Sequence, residues 1–206
     1  MNSKAHWDRI YRSSSPEQVS WYKREHALSL ELIRDAVPDS SSAIIDVGGG
    51  SSTLVDGLLA AGYRRLTVLD LSGEALAEAR TRLGAASAPV TWLEADVLTA
   101  PFASHAYDLW HDRAVFHFLT DPPDRRRYVA QARLAVRPGG YVLIATFAPD
   151  APPRCSGLDV MRYSPEALEA ELGPGLLLRS SRREEHRTPG GQTQAFSYCL
   201  FRIGEA

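Results

Sequence analysis

A short apolar run that breaks into three glycines constrains the fold of this chain more than any other feature. Residues 43–54 have the sequence AIIDVGGGSSTL. An apolar run of this length, followed by glycine and serine, is typical of a buried strand that turns into a helix. Because glycine carries no side chain, such a turn lets a ligand approach the backbone closely. We therefore predict a strand, a ligand-binding turn and a helix, in that order.

Alternating segments along the rest of the chain extend this pattern. The predicted strands are residues 43–47, 65–71, 90–97, 106–114 and 141–147, and the predicted helices are residues 20–37, 53–62, 73–83, 121–136 and 166–172. Ser72 and Ser164 are positioned to cap the helices that follow them. Residues 175–203 are predicted to form two antiparallel strands joined by a turn at 189–191. This order predicts an α/β fold: a three-layer Rossmann-like sheet of mostly parallel strands, with helices on both faces and a C-terminal antiparallel hairpin.

Length and charge limit the class of protein further. The chain has 206 residues, which predicts one domain over residues 1–206, with residues 1–37 as an N-terminal helical arm or lid. Its net charge of -2 argues against nucleic-acid or membrane partners. The first residues are too polar for a secretory signal, and no apolar run is long enough to span a membrane, so we expect a cytoplasmic monomer or homodimer. Cys155 and Cys199 lie far apart and indicate neither a disulfide framework nor a metal site.

Three classes of ligand use a glycine-rich turn of this kind: nucleoside triphosphates, dinucleotides and S-adenosylmethionine. The triphosphate motif requires a lysine after the glycines, and no lysine follows them here. Gly48, Gly50 and Thr53 give GxGxxT, which lacks the third glycine of the dinucleotide motif. Asp70, at the end of the second strand, supplies the carboxylate that the ribose of either remaining ligand would require.

Asp46 distinguishes the two remaining ligands. It lies two residues before the first glycine, where the diphosphate of a dinucleotide would repel it. The amino group and sulfonium of S-adenosylmethionine would instead favour a carboxylate there. Asp96, at the end of the third strand, is placed to accept the adenine amino group, while Val97 offers its backbone. The three carboxylates are thus predicted along the carboxyl edge of the sheet, where open α/β sheets bind ligands.

At five places the chain resembles the class I S-adenosylmethionine-dependent methyltransferases. The segments IIDVGGGSS, VLDLS, LEADV, YDLWHDRAVFHFL and AVRPGGYVLIATF resemble their first to fifth motifs. Ser52 stands where many members have glycine. The resemblance implies a seven-stranded sheet, S-adenosyl-L-methionine as cofactor and S-adenosyl-L-homocysteine as product. Together with the N-terminal aromatic residues, the predicted cofactor-binding residues are Trp7, Tyr11, Trp21, Asp46, Gly48, Gly49, Gly50, Ser52, Asp70, Leu71, Asp96, Val97 and His111.

The aromatic residues near the N-terminus have two interpretations. Trp7, Tyr11, Trp21 and Tyr22 are predicted either to cover the sulfonium as a lid, with cation–π attraction to the positive sulfur, or to pack a helix on the sheet. The segment HWDRIY resembles the arm of small-molecule methyltransferases in this class.

The methyl acceptor is expected where the fourth and fifth strands end. The candidate catalytic residues there are Asp112, Arg113 and His117, and the candidate substrate residues are Phe147, Cys155, Arg162 and His186. Each has a structural alternative: His117 lies between two phenylalanines as a core histidine would, and Asp112 and Arg113 form an ion pair. The positive charge of Arg154 is expected to lower the pKa of Cys155.

A general base is needed only for an acceptor that keeps its proton near neutral pH, and a thiolate or a metalloid oxyanion needs little or none. In its length, its aromatic arm and the DR after the fourth strand, the chain resembles small-molecule methyltransferases, which implies transfer to a small-molecule acceptor such as a thiol or a metalloid oxyanion. Three alternatives stay open. A protein-lysine methyltransferase often carries Asp-Lys-Gly-Thr where this chain has HDRAVF. A dinucleotide-dependent oxidoreductase conflicts with Asp46, and a catalytically silent module would bind S-adenosylmethionine without turnover.

Overall fold

The computed structural model describes residues 4–13 and 19–204. The helices are α1 (Lys4–Ser13), α2 (Ala27–Ala36), α3 (Leu54–Ala60), α4 (Gly73–Leu83), α5 (Pro122–Ala135) and α6 (Pro165–Leu172). The strands are β1 (Ala43–Val47), β2 (Arg65–Asp70), β3 (Val90–Glu94), β4 (Tyr107–Arg113), β5 (Val136–Phe147), β6 (Arg154–Cys155), β7 (Leu158–Asp159), β8 (Leu176–Arg187) and β9 (Thr193–Ile203). Single turns of 3-10 helix lie at Gly84–Ser87 and Phe116–Phe118.

Seven of these strands form one sheet in the order β3-β2-β1-β4-β5-β9-β8. Strands β1 to β5 are parallel to their neighbours, whereas β9 pairs antiparallel with both β5 and β8. The two-residue strands β6 and β7 form a separate small hairpin after β5. This topology confirms the predicted α/β fold with its C-terminal hairpin. It also brings the carboxyl ends of β1, β2, β3 and β4 to one edge of the sheet.

Burial on both faces explains why β1 is a continuous apolar run rather than an alternating one. Ile44 belongs to the core cluster that also contains residues of α2 and α3. Ile45 and Val47 point to the opposite face, into the cluster that contains residues of α5 and α6. All five residues of β1 are buried. The strand is therefore held from both sides, and the glycine turn that follows it has a fixed starting point.

Several predicted boundaries agree with the structure and two do not. Ser72 and Ser164 cap α4 and α6, accepting from the backbone N–H of Ala75 at 3.4 Å and Ala167 at 3.2 Å. Residues 20–26 are not helical, because α2 begins only at Ala27. The segment RPGG, predicted to close α5, instead belongs to the first part of β5.

Part of the predicted N-terminal arm, residues 1–3 and 14–18, lies outside the described residues, so the division into one domain with an arm over residues 1–37 stays a prediction. Within residues 4–13 and 19–204, no helix is both long and apolar enough to cross a lipid bilayer.

Candidate functional site

The turn after β1 requires glycine at two positions. Gly48 and Gly50 have φ angles of +66° and +42°, in the left-handed region that other residues rarely adopt. A Cβ on Gly48 would lie 2.0 Å from Val115 Cγ2, and one on Gly50 would lie 2.8 Å from the hydroxyl of Tyr11. The backbone N–H of Gly48 donates to the carbonyl of Leu69 at 2.7 Å, which ties the turn to β2. The result is a bare stretch of backbone facing a cleft.

The cleft lies at the carboxyl edge of the sheet and encloses about 850 Å³, its open mouth included. A smaller cleft adjoins it, and Tyr11, Trp21, Gly48 and Arg113 line both. Among the residues predicted to bind a cofactor, the larger cleft is also lined by Trp7, Asp70, Leu71, Asp96 and Val97, and the smaller by Asp46, Gly49, Ser52 and His111. The structure thus brings the predicted residues other than Gly50 to these two clefts, although the role of each residue stays a prediction.

Asp70 ends β2 as a buried carboxylate that lines the larger cleft. Its Oδ1 accepts the backbone N–H of Ser72 at 2.8 Å. A Cβ on Gly50 would lie 2.9 Å from Oδ2, so this second oxygen faces the glycine turn. Burial and, to a smaller extent, the charge of Asp46 raise the pKa of Asp70 to about 7, although backbone hydrogen bonds from Ser72 and Leu71 lower it. Near neutral pH this carboxyl group therefore exists in both protonation states.

Asp46 is held beneath the glycine turn by a chain of buried polar groups. Its Oδ1 lies 2.7 Å from Nδ1 of His111, and Nε2 of the same ring lies 3.0 Å from the hydroxyl of Ser29. All three side chains are buried. Ser29 was not predicted as a site residue. A serine on the apolar face of a predicted helix was the sequence feature that could have indicated a buried polar contact. The chain fixes the orientation of the Asp46 carboxylate at the smaller cleft.

Asp96 and Val97 line the larger cleft, together with Leu71 and Ala95. One oxygen of Asp96 accepts the backbone N–H of Leu98 at 2.9 Å. The carboxylate therefore stabilises its own turn with one oxygen while its residue lines the cleft.

Helix α1 lies across the cleft and is packed there by its aromatic residues. Trp7 makes edge contacts with Trp21 and Phe118, at centroid distances of 5.7 and 5.1 Å. Asp8 accepts from the hydroxyl of Ser72 at 2.6 Å, which fixes α1 to the start of α4. The helix is thus packed through its aromatic residues while Trp7 and Tyr11 line the larger cleft, and the predicted lid over the sulfonium stays a prediction.

Residues 19–26 form a second cover, which we call the cap segment. The Lys23 ammonium pairs with Glu184 of β8, and the hydroxyl of Thr53 lies 3.2 Å from the Lys23 carbonyl. Ser52, predicted to contact the cofactor, has its hydroxyl 3.1 Å from Nε2 of His26. Side chains from β8 and the glycine turn therefore replace the helical hydrogen bonds that were predicted for this segment.

Arg113 lies where the two clefts meet and is oriented by three contacts. Its Nε donates to the hydroxyl of Tyr198 at 2.9 Å, and Nη1 donates to the carbonyl of Trp21 at 3.2 Å. The guanidinium carbon lies 4.2 Å from the centroid of the Phe196 ring. Tyr198 and Phe196 were not predicted as site residues, since both appeared only as members of an alternating terminal strand. They give the guanidinium one fixed orientation.

The predicted ion pair between Asp112 and Arg113 is wrong. Asp112 is fully buried and accepts from the backbone N–H groups of Val115 and Phe116, at 2.9 and 3.0 Å, and from the hydroxyl of Tyr128. The two residues are neighbours on a strand, so their side chains point to opposite faces. Burial raises the pKa of Asp112 to about 6.

His117 is a core histidine rather than a residue of the cleft wall. Its ring lies 4.5 Å from that of Phe118 and 4.8 Å from that of Phe147, and burial lowers its pKa to about 3. Neither His117 nor Asp112 lines either cleft. The structure therefore corrects the prediction that these two residues act directly on the acceptor.

Of the four predicted substrate residues, Cys155 lines one of the two clefts and the other three do not. Cys155 lines the larger cleft, whereas Arg162 donates to the carbonyl of Ala151 and His186 contacts the carbonyl of Ser20 at 2.7 Å. Phe147 is buried against the rings of His117 and Phe196. Burial raises the pKa of Cys155, which corrects the expectation of a lowered value. The guanidinium expected to act on it, that of Arg154, pairs with Asp159 instead.

Fold and cleft together define a class of protein. A sheet of five parallel strands with an antiparallel C-terminal pair, a glycine turn after the first strand and an acid after the second is the architecture of a Rossmann-like class I methyltransferase. Comparison with known proteins agrees: residues 44–140 match the family model described as a methyltransferase domain. Residues 44–140 therefore resemble the methyltransferase domain of the class I S-adenosylmethionine-dependent methyltransferases.

Two groups of known proteins illustrate the similarity. An uncharacterized methyltransferase of Mycobacterium tuberculosis is 33% identical over 120 residues, which cover 56% of each chain. A ubiquinone/menaquinone biosynthesis C-methyltransferase of Roseobacter denitrificans is 30% identical over 127 residues, covering 60% of this chain and 50% of that protein. The chain spans about half the length of these curated relatives. The N-methyltransferase NodS from Bradyrhizobium japonicum, solved with S-adenosyl-L-homocysteine, covers 99% of this chain and 100% of its own at 14% identity and a TM-score of 0.72.

Proposed function

We propose that the protein transfers a methyl group from S-adenosylmethionine to a small-molecule acceptor that reacts as a soft nucleophile, such as a thiol or a metalloid oxyanion. The observation that carries the proposal is the cradle at Gly50. A side chain there would meet the hydroxyl of Tyr11 and Oδ2 of Asp70, so the bare turn lets the arm and the carboxylate approach its backbone closely. Asp70 also lines the larger cleft, and a cofactor with a ribose suits it, because ribose hydroxyls are donors for a carboxylate.

Different residues around the two clefts would bind the three parts of such a cofactor. Asp46 and the bare backbone of Gly48 and Gly49 would hold the methionine moiety in the smaller cleft. Asp70 would accept the ribose hydroxyls, and Asp96 with Val97 would hold the adenine in the larger cleft. When bound, the cofactor supplies an electrophilic methyl group on a positively charged sulfur.

The chain contributes to transfer by positioning and by excluding water. Trp7 and Trp21 cover the cleft with apolar rings whose faces attract a positive charge. Asp112 and His117, which were predicted as catalytic residues, both lie in the core rather than in the cleft wall, and Asp70, which does line the larger cleft, is assigned to the ribose. This arrangement favours an acceptor that has lost its proton before transfer, which is the behaviour of a thiol or an oxyanion.

Solved relatives support a small acceptor. The 1,6-didemethyltoxoflavin-N1-methyltransferase of Burkholderia thailandensis was solved with 1,6-didemethyltoxoflavin and S-adenosylhomocysteine bound, and it matches this chain with a TM-score of 0.68 at 17% identity. Its acceptor is a small molecule bound in the same fold.

Calorimetric titration with S-adenosylhomocysteine, with NAD and NADP in parallel, tests the cofactor. We expect micromolar binding of S-adenosylhomocysteine alone. Gly50→Ala should lower this affinity more than about tenfold, because its Cβ enters the cradle and its backbone is strained. Gly84→Ala is the matched control, since Gly84 has φ +53° but open space around it. Binding of a nicotinamide cofactor, or equal losses in the two variants, would contradict the proposal.

Turnover distinguishes an enzyme from a silent binding module. The wild-type protein, given S-adenosylmethionine and a panel of thiols and metalloid oxyanions, should release S-adenosylhomocysteine with at least one acceptor. Binding without release across the panel would favour the silent module.

A further inference from the structure

We infer that Arg113 binds an anionic group of the methyl acceptor, a thiolate or an oxyanion, at the junction of the two clefts. The inference rests on the proposed function, because it takes the larger cleft to hold the methyl donor. It goes beyond that function by naming the charge of the acceptor and the residue that recognises it.

The free nitrogen of Arg113 is the first observation. Nε and Nη1 are used by Tyr198 and Trp21, but the buried Nη2 has no hydrogen-bond partner among residues 4–13 and 19–204. A buried N–H group of a charged guanidinium is costly to leave without an acceptor. Because Arg113 lines both clefts, a ligand in the cleft can supply that acceptor.

The surroundings of Arg113 keep its charge available. Glu184, the carboxylate in this cluster, already pairs with Lys23 and accepts from the hydroxyl of Tyr198 at 3.0 Å. Burial alone would raise the pKa of Glu184, but the charges of Lys23 and Arg113 hold it below its usual value. The group formed by Lys23, Arg113 and Glu184 thus contains two cations and one carboxylate, while Asp46, which also lines the smaller cleft, lies 2.7 Å from Nδ1 of His111. An anion on Arg113 would balance the second cation.

Three neighbouring histidines add no competing charge. Burial, together with the positive charge of Arg113, lowers the pKa values of His26, His117 and His186. They are therefore neutral near pH 7. An ammonium group would be repelled by Arg113, so this charge pattern disfavours a protonated lysine side chain as acceptor.

With an anionic acceptor, methyl transfer is complete without a general base. Its lone pair forms the bond to the methyl carbon, and the electron pair of the broken carbon–sulfur bond goes to sulfur. The negative charge of the acceptor and the positive charge of the sulfonium disappear together, and no proton is transferred. Both products at the reacting atoms are neutral, so Arg113 binds the substrate more strongly than the methylated product.

The carboxylate of the cofactor's methionine moiety is a second possible source of the same anion, because Arg113 also borders the smaller cleft. The two sources differ in what they predict. An acceptor site leaves the affinity for S-adenosylhomocysteine unchanged when Arg113 is replaced. A cofactor site lowers that affinity but spares 5′-methylthioadenosine, which lacks the amino-acid moiety.

The test uses benzoate and benzamide, which have the same shape but differ in charge, and whose ring suits the walls formed by Trp7, Trp21 and Phe118. Each is titrated into wild-type protein saturated with S-adenosylhomocysteine. We expect benzoate to bind about tenfold more tightly than benzamide, as a charge-assisted hydrogen bond provides. Arg113→Gln should abolish the preference, whereas Arg182→Gln should retain it, since Arg182 is an exposed arginine of β8.

A second variant, Arg113→Lys, tests the inference if Arg113→Gln is poorly folded. Arg113→Lys retains the charge but not the oriented fork, and it should retain part of the preference for benzoate. No preference in the wild-type protein, or an undiminished one in Arg113→Gln, would overturn the inference. Loss of affinity for S-adenosylhomocysteine but not for 5′-methylthioadenosine would reassign Arg113 to the cofactor. Failure of the wild-type protein to bind S-adenosylhomocysteine would instead overturn the proposed function.

Discussion

Asp70 is the single residue on which cofactor binding should depend most clearly. Its Oδ1 is occupied by the backbone of Ser72, while Oδ2 faces the cradle at Gly50. Replacing Asp70 by Asn removes the charged acceptor with little change in shape. We expect the affinity for S-adenosylhomocysteine to fall by about 1–3 kcal/mol, measured by calorimetry. Asp159→Asn, at an exposed carboxylate, is the control and should leave the affinity unchanged.

The same residue should make binding depend on pH. The carboxylate form accepts both ribose hydroxyls, and the protonated form loses one acceptor. Since the pKa of Asp70 is raised to about 7, the wild-type affinity should rise from about pH 6 to about pH 8. The Asp70→Asn variant should show no such rise. A parallel rise in both proteins would assign the titration to another group.

Cys155 illustrates why residue properties are hard to predict from sequence neighbours. Arg154 precedes it directly, which suggested a lowered pKa. On a strand, however, adjacent side chains point in opposite directions: Arg154 is exposed and pairs with Asp159, while Cys155 is buried. Burial then sets the direction of the pKa shift. Asp70 was easier to place, because a residue at the carboxyl end of a parallel strand is fixed by the sheet itself.

At the scale of elements, the contacts that fasten α1 should control access to the cleft. Asp8 accepts from Ser72, and Lys4 pairs with Glu94 at 3.0 Å. The hydrogen bond from the Ser72 hydroxyl to the Asp8 carboxylate contributes about 1 kcal/mol. Asp8→Ala should therefore speed tryptic cleavage at Arg9 and Arg12 about fivefold in the absence of ligand, because ~1 kcal/mol corresponds to that ratio. Peptide mapping by mass spectrometry measures the rates.

The comparison variant for α1 is Asp39→Ala, in the exposed turn before β1, where the carboxylate accepts from the backbone of Ser41. It should leave the cleavage rates in α1 unchanged. Saturating S-adenosylhomocysteine should slow cleavage in the wild-type protein if α1 covers the bound cofactor. If neither Asp8→Ala nor the ligand changes the rate of tryptic cleavage in α1, then α1 is a fixed structural helix.

Predictability also differed between elements. Strand β1 was evident from five consecutive apolar or strand-end residues that are buried on both faces. The cap segment was predicted as helix because the apolar spacing of α2 was extended backwards to residue 20. Its carbonyls instead accept from Thr53 and Arg113, which lie far along the chain. No local pattern contains that information, since those partners are set by the tertiary fold.

At the scale of the whole molecule, parallel strands explain why the cofactor site could be outlined from the sequence. Each of β1, β2 and β4 ends at the same edge, so Asp46, Asp70 and Arg113 converge from positions far apart in sequence. The acceptor side was less predictable. Arg113 is oriented by Tyr198 and Phe196 from β9, an antiparallel strand whose alternating pattern gives no sign of which residue faces a ligand.

The whole molecule should also become more stable when its cofactor carboxylate is removed. Asp70 has a pKa of about 7 in the folded protein, against an ordinary pKa of 3.8 for the same side chain free in water. The folded state therefore binds the proton more strongly than the unfolded state, so this group favours folding at low pH. That contribution is lost as pH rises from about 4 through about 7. His26 and His117, with lowered pKa values, have the opposite dependence.

Comparing the free energies of unfolding of Asp70→Asn and the wild type separates the contribution of Asp70 from that of these histidines, because the histidines are present in both proteins. The free energy of unfolding of Asp70→Asn, minus that of the wild type, should increase by about 4 kcal/mol between pH 4 and pH 8, because the pKa of Asp70 is raised from 3.8 to about 7. Urea unfolding of the ligand-free proteins across this range gives the difference. Saturating S-adenosylhomocysteine should reduce or reverse it, because the ligand stabilises the wild type more. A pH-independent difference would mean that Asp70 is ionised in the folded protein throughout, and that its carboxylate is stabilised within the cleft before any ligand binds.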